Sequence, residues 1–148
     1  MKRPSTLAAL ALALFLPSAA FAVDNISKTG PVDLTSVRAK IAAKNYAAAR
    51  DELRDLAEDI QNADVYTLLG FTLRKTGDPS TSLTYYTKAL ELQPDHKGAR
   101  EYLGELFAET GKLDKAKEQL AILVKLCPGG CEERGDLEKF IAVKSVSN

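Results

Sequence analysis

Two cysteines separated by three residues, Cys127-Pro128-Gly129-Gly130-Cys131, are the most chemically suggestive feature of this 148-residue sequence. Their short spacing makes bridging geometrically easy, and closing so small a loop is worth roughly 2 kcal/mol by chain entropy. A redox role is a second reading, because Cys131 lies just ahead of a helical segment whose N-terminus would stabilise a thiolate. The spacing is three residues rather than the two of thioredoxin-like pairs, however, and no βαβ pattern accompanies it. A third reading adds the single histidine, His96, to make a soft site for Cu(I). His96 follows Pro94-Asp95, a context that suits a solvated turn residue. Covalent haem attachment is excluded, since no histidine follows Cys131.

The second candidate is an acidic stripe. Glu101, Glu105 and Glu109 recur at i, i+4 and i+8, so on a helix three carboxylates share one face. Like charges at that spacing cost a few tenths of a kcal/mol each unless something compensates. The stripe is either a docking strip for a basic segment or a solvated helix face. Acid–base chemistry would require burial to drive the carboxyl pKa values apart, and nothing in the sequence predicts burial there. Nucleophilic catalysis has no support: no Gly-x-Ser-x-Gly turn presents a serine. Gly129-Gly130 lacks the strand and lysine of a phosphate-cradling loop. The expectation is a non-catalytic protein with no cofactor and no metal.

Charge narrows the partners. Lysine plus arginine equal aspartate plus glutamate at 20 each, so there is no cationic excess to displace phosphate counterions, and nucleic acid is not the expected partner. Hydrophobic residues make up 45% of the chain, which suits a globular fold.

The N-terminus reads as an address. Lys2-Arg3 precede an unbroken apolar run, Leu7 to Leu16, and then a small-residue stretch ending Ala20-Phe21-Ala22. This is the pattern of a signal peptide over 1–22, cut after Ala22. The apolar run has half the roughly 20 residues a spanning helix needs, so stable membrane insertion is not expected. Without Lys2 and Arg3 the mature chain has 20 − 2 = 18 basic against 20 acidic residues, a charge near −2. The expected location is the periplasm of a Gram-negative bacterium, where a Cys127–Cys131 disulfide would persist.

What positions these groups is a 34-residue period. Tyr66, Leu69-Gly70, Leu73, Gly77, Ser82, Tyr86, Ala89 and Pro94 are followed 34 residues later by Arg100, Leu103-Gly104, Phe107, Gly111, Ala116, Leu120, Leu123 and Pro128. Gly70 and Gly104 would each cost about 1 kcal/mol within a helix, which makes sense where a neighbour must approach closely. Gly77 and Gly111 suit left-handed helix caps, and Asp78-Pro79 suits an N-cap followed by proline at the first helical position. Pro94 and Pro128 stop their helices. A weaker copy runs through Lys44-Asn45-Tyr46, Ala49, Leu53 and Leu56, one residue short in period and without the Leu-Gly pair.

These offsets resemble the tetratricopeptide repeat family, whose unit is a pair of antiparallel helices. The resemblance implies an all-α solenoid with repeats at about 30–62, 63–96 and 97–130. Leu137, Phe140, Ile141 and Lys144, at helical spacing, make a capping helix at about 132–146. It also implies a concave groove that binds a peptide or protein segment. The groove positions are Leu34, Arg38 and Ile41 in the first copy and Asp64, Thr67, Phe71, Arg74 and Lys75 in the second. In the third they are Gly98, Glu101, Glu105, Ala108 and Glu109. The groove would be basic and apolar at one end and acidic at the other. Phe71 is either a binding anchor or a seam residue packed on Ile41. The lysine and asparagine set that clamps a carboxylate terminus in some members is absent, because the ninth positions hold Arg38, Phe71 and Glu105. The expected role is an envelope scaffold with a protein partner. Thiol redox or Cu(I) handling is the alternative, and self-assembly by stacked repeat faces is a third reading that leaves the oligomeric state open.

Overall fold

The computed structural model describes residues 31–146, and the segment 1–22 read from the sequence as a signal peptide lies outside them. Seven α-helices follow one another: α1 Thr35–Ala42, α2 Tyr46–Asp59, α3 Ala63–Lys75, α4 Pro79–Leu92, α5 Lys97–Glu109, α6 Leu113–Leu126 and α7 Glu132–Val146. Each odd-numbered helix packs on the even-numbered helix that follows it, from α1 on α2 to α5 on α6, and α7 closes the end against α5 and α6. The odd-numbered helices also touch one another, α3 on α5 and α5 on α7. That arrangement is an all-α solenoid.

Local chemistry starts and stops the helices where the sequence places its polar and glycine residues. Asn62 Oδ1 accepts the Asp64 and Val65 amides to open α3, and Asp78 Oδ1 accepts the Thr81 amide to open α4. The α3–α4 and α5–α6 turns pass through Gly77 and Gly111 at φ 87° and 74°. Each turn closes with a backbone bond back across the helix end, Asp78 N–H to the Leu73 carbonyl at 2.9 Å and Lys112 N–H to Phe107 at 2.8 Å. The α1–α2 turn is built the same way, with Asn45 N–H on the Lys40 carbonyl at 2.8 Å, but Lys44 takes the left-handed position at φ 57°.

The intrahelical glycines mark close approaches. A Cβ on Gly70 would lie 2.6 Å from the Tyr86 ring, and one on Gly104 would lie 2.5 Å from Leu137 Cδ2. The first contact locks α4 onto α3 within a unit, helped by Ser82 Oγ, which donates to the Gly70 carbonyl at 2.7 Å. The second seats the cap: Leu137 is fully buried in a cluster with Ala108, Ala116, Leu123 and Ile141, with Phe140 and Leu120 alongside. Packing of α7 on α5 therefore fixes what faces the N-terminal half of α5.

Candidate functional site: the face of the odd-numbered helices

Phe71, on α3, is half-buried and does not simply close a seam. Its ring meets Tyr46 of α2 edge-on at 5.9 Å between centroids and Tyr102 of α5 at 4.9 Å. Lys75 Nζ stands 5.4 Å over the same ring, and Lys75 itself is solvent-exposed. Three aromatic rings from three helices thus form a continuous strip with a cation at its edge. Ile41 packs on the N-terminal core cluster rather than joining the strip, and Arg38 is exposed on α1.

The division into a basic end and an acidic end is corrected by the structure. Arg74 is buried, its side chain only 2% exposed, and its guanidinium is ion-paired with Glu105 and lies 3.1 Å from Glu109 Oε1. The residues assigned to opposite ends of the groove neutralise each other across the α3–α5 interface, so Arg74 is not offered to a ligand. Its guanidinium also lies near the Phe71 and Tyr102 rings, at 5.8 and 5.9 Å. Leu34, Thr67 and Ala108 belong to the buried interior as well, because the helix turns their side chains into the solenoid.

Glu101 is the larger surprise. Its side chain is buried, with 9% of the residue exposed, where the sequence had shown no sign of burial. Burial, reinforced by the charges of Glu105, Asp136 and Glu133, pushes its carboxyl up to about 8, and Arg74 offsets only part of this. Burial likewise raises the Tyr102 phenol, with Glu101 and Glu105 adding to the effect. Glu101 lines a hollow of about 310 Å³ shared with Arg38, Gly98, Tyr102, Glu132, Glu133 and Asp136. Glu105 is also largely covered, its side chain 13% exposed, so only Glu109 fits the solvated-face reading.

His96 and the cysteines have structural employment. His96 Nδ1 accepts the Ala99 amide at 3.1 Å, capping α5, and Nε2 lies 3.0 Å from Asp64 Oδ1 on α3. An acceptor at Nδ1 leaves the proton on Nε2, which donates to the carboxylate. His96 is thus a helix cap and an inter-unit tie rather than a solvated turn residue. Cys127 and Cys131 are joined in a disulfide with Cα atoms 6.0 Å apart, bridging the end of α6 to the start of α7. Neither sulfur is available to Cu(I) in that state, and among the described residues no His, Cys, Asp and Glu side chains converge as a metal-ligand set.

Sequence reasoning missed Tyr46, Tyr102, Glu133 and Asp136. Tyr102 directly follows Glu101, and Glu133 and Asp136 sit one turn apart at the start of α7. The acidic start of α7 was visible, but its placement opposite Glu101 depends on the Gly104–Leu137 contact, which no spacing within one helix encodes.

Comparison with known proteins agrees with this architecture. Residues 67–130 match the Tetratricopeptide repeat family. An uncharacterized protein, ycf37, of the alga Pyropia yezoensis is 30% identical over 81 residues, 55% of this chain. The chain spans 43% of that relative's length. Among solved structures, the type III secretion translocator chaperone SycD of Yersinia enterocolitica superposes with a TM-score of 0.65 at 14% identity, covering 76% of this chain and 81% of that one. The same chaperone in an alternative dimer gives 0.66 at 13% identity, covering 76% and 89%. These identities speak to the fold, and the family match speaks to the repeats. Period, solenoid and family match agree on a tetratricopeptide-repeat fold across residues 67–130, a fold suited to protein–protein interaction.

Proposed function

We propose that the protein is a non-catalytic scaffold of the bacterial envelope, exported by cleavage after Ala22, that holds a segment of a partner protein against the face of its odd-numbered helices. One observation carries this reading: the half-buried strip Tyr46–Phe71–Tyr102, flanked by the exposed cations Arg38 and Lys75. Rigid aromatic surface beside charge is the usual make-up of a binding hot spot. That the same fold serves a translocator chaperone adds weight to a protein ligand.

The test is selection of displayed random peptides on the purified chain, followed by affinity measurements on Phe71→Ala and Lys75→Glu. Removing the Phe71 anchor should weaken selected peptides by about tenfold or more, with the helical circular dichroism signal retained. Failure to select any peptide, or affinities indifferent to both substitutions, would remove the groove reading. Fusing residues 1–30 to a reporter active only outside the cytoplasm, then sequencing the processed N-terminus, checks export. An inactive reporter or a cut elsewhere than Ala22–Val23 counts against it.

A further inference from the structure

We propose that the hollow between α5 and α7 is a subsite for one basic side chain, arginine in preference to lysine, of the segment held on this face. The inference rests on the groove reading for its partner, but the pocket is argued from its own residues.

Glu101 carries the argument. It is about nine-tenths buried and lines the hollow, and among the described residues no hydrogen-bond donor or cation pairs with its carboxyl. A largely desolvated carboxyl facing only the hollow is unfavourable in a folded chain, and the walls around it make matters worse rather than better. From α7 come Glu132, Glu133 and Asp136, and from its own helix Glu105 is near enough to add its charge. The opposing charges are Arg74, already engaged by Glu105 and Glu109, and Arg38, which is exposed at the edge of the hollow and has no ion pair among the described residues. Four carboxyl groups therefore line a space with one guanidinium at its rim. The chemistry that resolves such a site is a cation entering from outside.

Size and lining choose the cation. At about 310 Å³ the hollow is at the small end of ligand pockets, enough for a side chain rather than a folded element. The absence of a convergent ligand set among the described residues argues against a bare divalent ion. A guanidinium suits the site better than an ammonium, because its planar fork can serve two carboxylates at once and lie against the Tyr102 ring that forms part of the wall. The position is also right for a longer ligand. Tyr102 is shared between the hollow and the aromatic strip, so a segment lying along Phe71 would reach Glu101 within a few residues.

The site also exchanges a proton for its ligand. With the carboxyl of Glu101 raised to about 8, the empty pocket keeps it largely protonated at neutral pH, and an entering cation displaces that proton. Apparent affinity should rise with pH, flatten above about 8, and fall by close to tenfold per unit below about 7. Glu105, Glu133, Asp136 and Arg74 set the position of that midpoint, and Glu132, Arg38 and the Tyr102 hydroxyl face the same space.

The experiment is an NMR titration of the full chain with N-acetyl-arginine amide, using N-acetyl-citrulline amide as the uncharged control of the same shape. The expected result is saturable shift changes at the Gly98, Glu101, Tyr102 and Asp136 amides. Binding should weaken about tenfold or more with citrulline or in Glu101→Gln, and the variant should lose the pH dependence above about 6. A second variant, Asp136→Asn, weakens binding less and guards against a folding artefact in the first. Silence at these amides, equal response to citrulline, or a Glu101→Gln variant that binds as well as the wild type would overturn the subsite. The two readings part cleanly. A pocket that binds arginine in a chain that selects no peptide removes the groove and keeps the subsite. Peptides that bind through Phe71 but carry no basic residue, and ignore Glu101→Gln, remove the subsite and keep the groove.

Discussion

Arg74 on α3 and Glu101 on α5 are two buried ionisable side chains on one face of the solenoid, and one has its counter-charges while the other does not. Arg74 meets the second and third carboxylates of the α5 stripe, so its charge is matched across the helix interface. Glu101 is the first carboxylate of that same stripe, but the helix it faces is α7, which presents only Glu132, Glu133 and Asp136. One periodic row of glutamates is therefore split by its neighbours into a structural half and an unsatisfied half. The charge pattern of a repeat helix acquires meaning only from the helix laid against it. At α3 the pattern is used up in holding two units together, and at α7 it is left open to a ligand.

Removing the matched cation should cost the fold more than any other single change on this face. Arg74→Ala would leave Glu105 and Glu109 without their counter-ion beside an already crowded Glu101. Breaking such a covered pair from one side costs about 3–5 kcal/mol. Urea unfolding should show that loss at neutral pH. A loss below about 1 kcal/mol would be that of an exposed pair, and the two halves would no longer be distinct.

The unmatched half makes the opposite prediction. In the unfolded chain Glu101 titrates near 4.5 and in the folded chain near 8. Between those values the folded state keeps a proton that the unfolded state has released, so this group lowers stability as pH rises through the window and does so fully above about 8. Glutamine does not titrate. Glu101→Gln should therefore match the wild type near pH 4.5 and exceed it above about pH 8 by something on the order of 3 kcal/mol. Denaturation at both ends of the window checks the sign, and a variant less stable than the wild type at high pH would mean that Glu101 has a partner after all.

How much of this was legible beforehand follows the range of each interaction. The turn glycines Gly77 and Gly111, the cap at Asp78 and the stops at Pro94 and Pro128 act within one helix or one turn, so spacing alone exposed them. Phe71 stood out because a large aromatic at a groove position lacks a role within its own unit. Tyr102 was missed for the converse reason: only its contacts with Phe71 and Tyr86 on other elements show what it does. Arg74 and Glu105 lie 31 positions apart in sequence. The 34-residue period therefore puts them at offset positions of adjacent units, where a position-by-position alignment compares them with other residues instead of pairing them. Glu101 looked like surface because an i, i+4, i+8 stripe of glutamates usually is, and burial of its first member was imposed by a cap helix outside the period.

The joint that carries Arg38 is a milder site of strain. The three turns inside the repeat units share one backbone path, with Gly77 and Gly111 in the left-handed position of two and Lys44 in the third. A side chain costs roughly 1–2 kcal/mol in that conformation, whereas glycine adopts it freely. Lys44 is exposed, so its removal forfeits no packing. Part of the gain is returned, because glycine also loosens the unfolded chain. Lys44→Gly should therefore stabilise the protein by about 1 kcal/mol, seen as a rise in Tm. The α1–α2 pair lacks the Leu-Gly contact of the other two units, so the same substitution should slow amide exchange in α1 more than in α5. If stability rises while exchange in α1 is unchanged, the N-terminal unit already opens together with the rest. Arg38 would then be held as firmly at the rim of the hollow as the carboxylates opposite it.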